Sequence, residues 1–350
     1  MLIVFHLIPL LAAGLAAWLL FRHRGESYEI RTLVLGILIL FGLTLAALFY
    51  PVGGFARVQL LAWVAFFYFP LFLIMGILYF WVDNRRLAIV LTVLLVLTVA
   101  VAVDSFFVEP HWLRVTHQEI TSAKMEEPLK VAVLADIQTD MPGEYEIEVL
   151  RIVREANPDL ILLAGDYIQE RTPEEYQREG EELNQLFREA GLSASLGIYA
   201  VRGNVDRTNW SAIFDGLDVM TFDETETLDL GPVLLTGLGL SDSRDSALQI
   251  EGGDKFHITL GHYPDYSLGE IDGDLLLAGH THGGQIQLPG IGPLLTNSLV
   301  PRAWASGLTE IQPEKFLLVS NGIGLERGYA PRMRFLCRPE LIILTLLPIP

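Results

Sequence analysis

Five short apolar runs in this chain each end in a residue that can bind a cation, and that repeated ending constrains the fold more than any other feature. Val131 to Ala135 runs into Asp136-Ile137-Gln138, and Leu160 to Ala164 into Gly165-Asp166. Ile198 to Val201 leads through Arg202 into Gly203-Asn204-Val205-Asp206, and Phe256 to Leu260 into Gly261-His262. Asp274 to Ala278 runs into Gly279-His280-Thr281-His282-Gly283-Gly284-Gln285. Short apolar runs bounded by glycine read as buried strands. Neutral imidazole is a common ligand for divalent transition ions, and glycines let a turn bring two rings toward one point. Five strand ends are therefore expected to converge on one site. Helical runs at Glu146 to Ala156 and Pro173 to Ala190 alternate with the strands, which is an α/β layered pattern.

At these residues the chain resembles the calcineurin-like metallophosphoesterases, whose pattern is Asp-Xaa-His, Gly-Asp, Gly-Asn-His-Asp, Gly-His and Gly-His-Xaa-His in that order. The resemblance covers about residues 129 to 348, with the block from Gly279 to Gln285 among its most specific pieces. Ser320-Asn321-Gly322-Ile323-Gly324 and Arg338-Pro339-Glu340-Leu341 resemble late segments of the membrane-associated and secreted branch. The resemblance implies a four-layer α/β/β/α sandwich with two divalent metal ions at the strand ends. It implies Asp166 as the bridging carboxylate, Asp136 and His282 on the first metal, and Asn204, His262 and His280 on the second. A hydroxide held between the ions would attack phosphorus in line while the metals absorb charge on the phosphoryl oxygens. Arg202 is a candidate for binding phosphate. Asp206 joins the catalytic set, its alternative role being to orient its own turn.

Two positions depart from the family pattern. Gln138 stands where the family has a metal-ligating histidine. An amide oxygen is a poorer donor for zinc or iron and suits harder ions, so manganese is the first choice of metal, with zinc, iron or magnesium as alternatives. Val205 stands where the family has a histidine that protonates the leaving group or steadies the transition state. Loss of a general acid costs ~10²–10⁴-fold unless the leaving group is already a good one. The expected substrate is therefore a phosphoester or pyrophosphate whose leaving group needs little protonation. Gln169, three residues after Asp166, argues against the tyrosinate-iron site of the related purple acid phosphatases. The same losses also fit an alternative, a decayed metal- or phosphate-binding module with a regulatory or scaffolding role. His257 falls within a strand run, and His6, His23, His111 and His117 fit no pattern.

The first third is of another character. Residues 1 to 103 carry 6 basic and 3 acidic side chains, and four apolar spans, near 2–21, 32–50, 60–82 and 87–107, each approach the ~20 residues that cross a bilayer. A cleaved signal peptide explains one such segment at most. The organisation expected is a four-span all-α transmembrane region over 1–107, a linker over 108–128 and a catalytic domain over 129–350. Arg22, Arg24 and Arg31 follow span one, Arg85 and Arg86 precede span four, and Arg57 alone lies between spans two and three. The positive-inside bias then puts both termini outside the cytoplasm. No charged residue lies in the middle of a span, which argues against an ion pathway.

Residues 104 to 350 carry 18 basic and 39 acidic side chains, near −21, which argues against nucleic acid as a partner. The partners expected are the bilayer and a phosphorylated or pyrophosphate-linked lipid. Cys337 is the only cysteine, so neither an intrachain disulfide nor a thiolate cluster forms.

Overall fold

The computed structural model describes Trp18, residues 26–50 and residues 52–349. These residues form two compact units, one running up to Phe106 and including Tyr329–Pro331, the other Phe107–Gly328 and the chain from Arg332 onward.

The chain up to the division is helical: α1 is Glu26–Phe49, α2 Gly54–Asp83 and α3 Arg85–His111. Asn84 breaks the run between α2 and α3, and its side chain accepts the Leu87 N–H at 3.2 Å, capping α3. Leu73, Tyr79 and Phe80 of α2 pack with Ala88 and Leu91 of α3. Mean hydropathy reaches 2.3 in α2 and 2.7 in α3, yet only 22 % and 11 % of those windows is buried. A soluble protein hides such helices in its core.

The expectation of four spans is corrected here. Among the described residues two helices are long and apolar enough to cross a bilayer, and α1 offers only the shorter stretch Val34–Phe49. The span at 2–21 lies outside the described residues except for Trp18.

The second unit is built on two six-stranded sheets. The first contains β1 (Arg114–Ser122), β2 (Leu129–Leu134), β3 (Leu160–Leu163), β4 (Ile198–Val201) and β5 (Met220–Phe222). The second contains β6 (Glu226–Asp229), β7 (Val233–Gly237), β8 (Phe256–Leu260), β9 (Leu275–Ala278), β10 (Gly307–Gln312) and β11 (Lys315–Val319), and β12 (Glu340–Pro348) returns to the first. The orders are β1-β12-β2-β3-β4-β5 and β10-β11-β9-β8-β7-β6. β2, β3 and β4 are parallel neighbours, with Val131 opposite Leu160 and Ile161 opposite Ile198. β8 and β9 are likewise parallel, with Ile258 opposite Leu275. Parallel pairing brings the C-terminal ends of neighbouring strands to one edge, which is how five separate runs reach one place.

The alternation of side chains along each strand decides the layers. Val131, Val133, Leu160 and Leu162 of the first sheet share one buried cluster with Leu235, Ile258, Leu260, Leu275 and Leu277 of the second. The odd-face partners Ala132, Leu134, Ile161 and Leu163 pack instead under two helices, α4 (Glu144–Ala156) and α5 (Pro173–Ala190). α5 starts at a capping box in which Thr172 Oγ1 accepts the Glu175 N–H at 3.2 Å, and it ends at left-handed Gly191. Its buried face is Tyr176, Glu179, Gly180, Leu183 and Phe187, a helical spacing.

Two further expectations need amendment. The segment expected as a linker holds the nine-residue strand β1, paired in parallel with β12 from Arg114–Glu340 to Ser122–Pro348. Its alternation of apolar and polar residues is weak, and pairing with buried β12 supplies what its own sequence lacks. The outer face of the second sheet carries no long helix among the described residues. Leu240–Ser243 and the 3₁₀ turn Pro264–Leu268 cover it, with Leu238, Tyr266, Leu276 and Leu317 buried beneath. The connections there are too short for a full helical layer.

Candidate metal centre

The turn after β2 places Asp136 and Gln138, both fully buried, at φ values of +50° and +40°. Asp166 after β3, and His280 and His282 after β9, also have positive φ, at 56°, 67° and 49°. Non-glycine residues rarely adopt this conformation, and its concentration in one set of turns is backbone strain held by the surrounding structure. The strain is held by crossed backbone bonds: Asp136 N donates to Gly165 O at 3.0 Å and Gln138 N to Asp166 O at 2.8 Å. Gly165, at φ +88°, allows the turn after β4 to approach; a Cβ there would lie 2.6 Å from Gly203 N. Gly203 is equally constrained, because its own Cβ would overlap the Asp166 backbone and carboxylate.

Three of the expected ligands lie together. The ligating atoms of Asp166, His262 and His280 lie within 4.8 Å of one another. His262 Nδ1 lies 2.8 Å from Ala164 O, and a carbonyl can only accept, so Nδ1 carries the proton. Its other nitrogen, Nε2, then faces Asn204 Oδ1 at 2.9 Å and Asp166 Oδ2 at 3.3 Å. A lone pair opposed by two oxygens requires a cation between them, either a proton or a metal ion. His280 Nε2 donates to Asn297 O at 3.1 Å, which leaves Nδ1 unprotonated with its lone pair available.

The first-metal residues lie beside them. Asp136 accepts the His280 N–H at 3.0 Å, and His282 Nε2 is 4.0 Å from Asp136 Oδ1. Gln138 Oε1 and His282 Nδ1 are buried with no hydrogen-bond partner among the described residues. Buried polar atoms without partners are rare, and here two of them belong to expected ligands. The residues present therefore fit a divalent ion.

The electrostatics follow the geometry. Burial pushes Asp136 up to about 7, against the pull of His262. Burial acts on Asp166 in the same sense, but neighbouring His262 outweighs it and holds that carboxyl below its usual range. Burial works against charge on His262, and Asp166 overcomes it, raising the imidazole to about 9. Burial, reinforced by His262, lowers His280 to about 4, and burial carries His282 well below the ordinary value. Without metal, His262 holds a second proton, on Nε2, at the place a cation would take.

Residues 129–284 match the family model described as calcineurin-like phosphoesterase. That stretch is a calcineurin-like metallophosphoesterase domain. The uncharacterized metallophosphoesterase YkuE of Bacillus subtilis is 28 % identical over 264 residues, covering 69 % of this chain and 87 % of that protein. An uncharacterized metallophosphoesterase of Campylobacter jejuni is 26 % identical over 252 residues, covering 65 % of this chain and 63 % of its own length. The phosphodiesterase YaeI of Escherichia coli is 24 % identical over 251 residues, covering 69 % of this chain and 90 % of its own. The matched stretch and these relatives mark the chain as a hydrolase of phosphoester bonds, and the family of the matched stretch binds divalent metals.

Several residues that support this metallophosphoesterase site lie beyond the matched stretch. Arg334 is fully buried and its guanidinium donates to the carbonyls of Asn321, Gly322, Gly324 and Cys337. It thereby fixes the turn whose Ile323 and Gly324 N–H groups bond to Ala135 O and Asp136 O. Glu326 accepts from Gln138 Nε2 at 3.1 Å and from Gln169 Nε2 at 2.8 Å, and Gln169 Oε1 accepts from Gln138 Nε2 at 3.0 Å. An ionised carboxylate can only accept, so Glu326 turns the Gln138 amide nitrogen toward itself and its oxygen away. Nothing in the local sequence around Glu326 or Arg334 signals these roles.

The remaining expected residues are placed as follows. Asp206 accepts the backbone N–H groups of Asp166, Tyr167 and Gly203 at 2.8–2.9 Å, so its carboxylate braces two turns. Burial, reinforced by Asp166, raises it to about 7. Arg202 donates to Asp206 O at 2.9 Å. Val205 donates its N–H to Asp166 Oδ1 at 2.8 Å. His257, in β8, lies 2.7 Å from Thr236 Oγ1, away from the site residues in the sequence and in its bonding.

Proposed function

We propose that the protein is a membrane-bound metallophosphoesterase that cleaves a phosphoester or pyrophosphate bond of a lipid-linked substrate, with its catalytic domain outside the cytoplasm. The observation that carries the chemistry is the pairing of an assembled ligand cluster with valine at the position of the acid. Asp136, Gln138, Asp166 and His282 would hold one ion and Asp166, Asn204, His262 and His280 the other. Two divalent ions supply Lewis acidity for the phosphoryl oxygens and deprotonate water near neutral pH. Harder ions suit the amide oxygen of Gln138, and manganese is the metal proposed.

The chain's own groups do the rest. Ala164 O and Asn297 O fix the ring tautomers of His262 and His280, and Asp206 and Gly203 hold Asp166 and Asn204 in register. Val205 can neither donate nor accept a proton, so the leaving group departs with its own charge. A phosphate or nucleotide can do this; an alkoxide cannot do so readily. The apolar faces of α2 and α3 support attachment to a bilayer, and the arginine distribution of the sequence supports the orientation.

The test is manganese-dependent hydrolysis of an activated phosphodiester by the full chain in detergent, with Asp166→Asn and His280→Ala beside it. Turnover that both substitutions abolish supports the reading. Absence of turnover with several divalent metals refutes it and leaves a binding module. Faster cleavage of simple alkyl phosphates than of pyrophosphate diesters refutes the substrate class.

A further inference from the structure

Next to the cluster lies a cleft of about 360 Å³, lined by Arg244, Asp265, Arg302 and the segment from Leu294 to Leu299. Two contacts tie it to the metal centre. Asn297, in its wall, holds His280 Nε2 through its carbonyl. The Tyr263 and His280 rings touch, with centroids 4.0 Å apart and planes tilted by 49°, and the Arg244 guanidinium lies 5.6 Å from the Tyr263 ring.

The charges in this cleft are unusual for this protein. The second unit is strongly acidic, yet Arg244 and Arg302 form no ion pair and no side-chain hydrogen bond among the described residues. The carboxylate in the wall, Asp265, is buried, and its Oδ1 accepts from Ser298 Oγ and from Leu299 N–H at 2.8 Å. It shapes the loop and leaves both guanidinium groups unmatched. Guanidinium groups recognise phosphate through paired hydrogen bonds, so two unmatched ones beside a phosphoesterase centre form an anion subsite.

We infer that this cleft binds the leaving half of the substrate, and that the group it takes is a second phosphate. This rests on the hydrolase reading above and deepens it. Water adds its oxygen to the scissile phosphorus and gives a proton to solvent. The bond from that phosphorus to the bridging oxygen breaks, and the electron pair stays on the bridging oxygen, which becomes a terminal oxygen of the departing phosphate. Arg244 and Arg302 compensate the charge that Val205 cannot neutralise by proton transfer.

The test uses ADP-ribose, a water-soluble pyrophosphate diester, with Arg244→Gln, Arg302→Gln and, as a charge control, Arg151→Gln on the exposed face of α4. With metals stripped, calorimetric titration into the full chain in detergent isolates the arginines from the ions. Each cleft variant is expected to lose about tenfold in affinity, as for a lost charge-assisted contact. With manganese present, the preference for ADP-ribose over bis(p-nitrophenyl) phosphate should fall by a similar factor. Arg244→Lys is expected to restore part of both, and Arg151→Gln to move neither. Changes below ~2-fold in both readouts for the cleft variants overturn the subsite. A metal-loaded protein without turnover whose stripped form still shows the affinity loss refutes the hydrolase reading while the subsite stands.

Discussion

Glu326→Gln isolates the device that presents Gln138 to the first metal. In the native chain the Glu326 carboxylate accepts three N–H groups: Gln138 Nε2 at 3.1 Å, Gln169 Nε2 at 2.8 Å and Gly328 N at 2.9 Å. The substitution converts one acceptor oxygen into a donor that must face another amide nitrogen. Gln169 is the less free to turn, because its Oε1 already accepts from Arg327 N at 2.6 Å. Gln138 is the more free, because its Oε1 has no protein partner. Its amide is therefore expected to rotate and offer nitrogen, a donor with no lone pair, to the first metal.

The cost follows from what is lost. A hydrogen bond to a charged group contributes ~1.5–3 kcal/mol, and groups that orient a metal ligand govern about 10–100-fold in affinity. Manganese titration of the stripped full chain, followed by the electron paramagnetic resonance of free ion, should show first-site affinity weakened by about 10–100-fold. Binding at Asp166, Asn204, His262 and His280 should hold within ~3-fold, since none of these residues touches Glu326. A Gln138→His background should make Glu326→Gln nearly silent, because an imidazole does not depend on that amide orientation. Unchanged first-site affinity refutes the reasoning. So does equal weakening of both sites with a lowered melting temperature, which would mean a structural role alone.

Three other outcomes follow from the same geometry. Val205→His should speed cleavage of alkyl phosphodiesters by about 10–100-fold while moving pyrophosphate cleavage less, measured as a ratio of kcat/KM for the two substrates. Asp206→Ala strands three buried N–H groups, so the unfolding midpoint should drop by the equivalent of about 3–5 kcal/mol, and a smaller drop than ~1 kcal/mol would deny it the bracing role. In the metal-stripped protein, His262 is raised to about 9 and Asp136 to about 7. Stability from the His262 proton is complete below the ordinary histidine value and is lost as pH rises through about 9, and that from protonated Asp136 is lost through about 7. The stripped protein should melt lower at pH 9 than at pH 6, while manganese affinity, which requires those protons to leave, should rise over the same interval.

The ligand turns were legible because each is a short apolar strand followed at once by its polar residue. Position in sequence and position in space coincide when parallel strands end together. What joins those turns was not legible. Glu326 and Arg334 lie far from the motifs in sequence; Arg334 bonds to backbone carbonyls, which carry no sequence signature, and Glu326 meets the side chains of Gln138 and Gln169 only through the fold. The edge strand β1 was hidden for a related reason: its pairing with β12 spans more than two hundred residues, so only tertiary context specifies it. In the apolar third, apolar composition marked α2 and α3, the two helices that among the described residues are long and apolar enough to cross a bilayer.

On the proposed reading of an enzyme held at a membrane, the missing acid at position 205 has a consequence for selectivity. A bilayer surrounds such a domain with phosphodiesters whose leaving groups are alkoxides, in large excess over any pyrophosphate-linked lipid. A centre with a full general acid gains on every such diester, and its selectivity would then rest on binding alone, where one methylene gives only ~1–3 kcal/mol of discrimination. Valine at position 205 withholds ~10²–10⁴-fold from alkoxide leaving groups and little from phosphate, so discrimination is built into the chemical step. In the proposed subsite, Arg244 and Arg302 would then favour the one leaving group that needs no proton. Replacing both arginines in a Val205→His chain should invert the preference, and an unchanged preference in that triple variant would show that neither the missing acid nor the cleft sets the substrate.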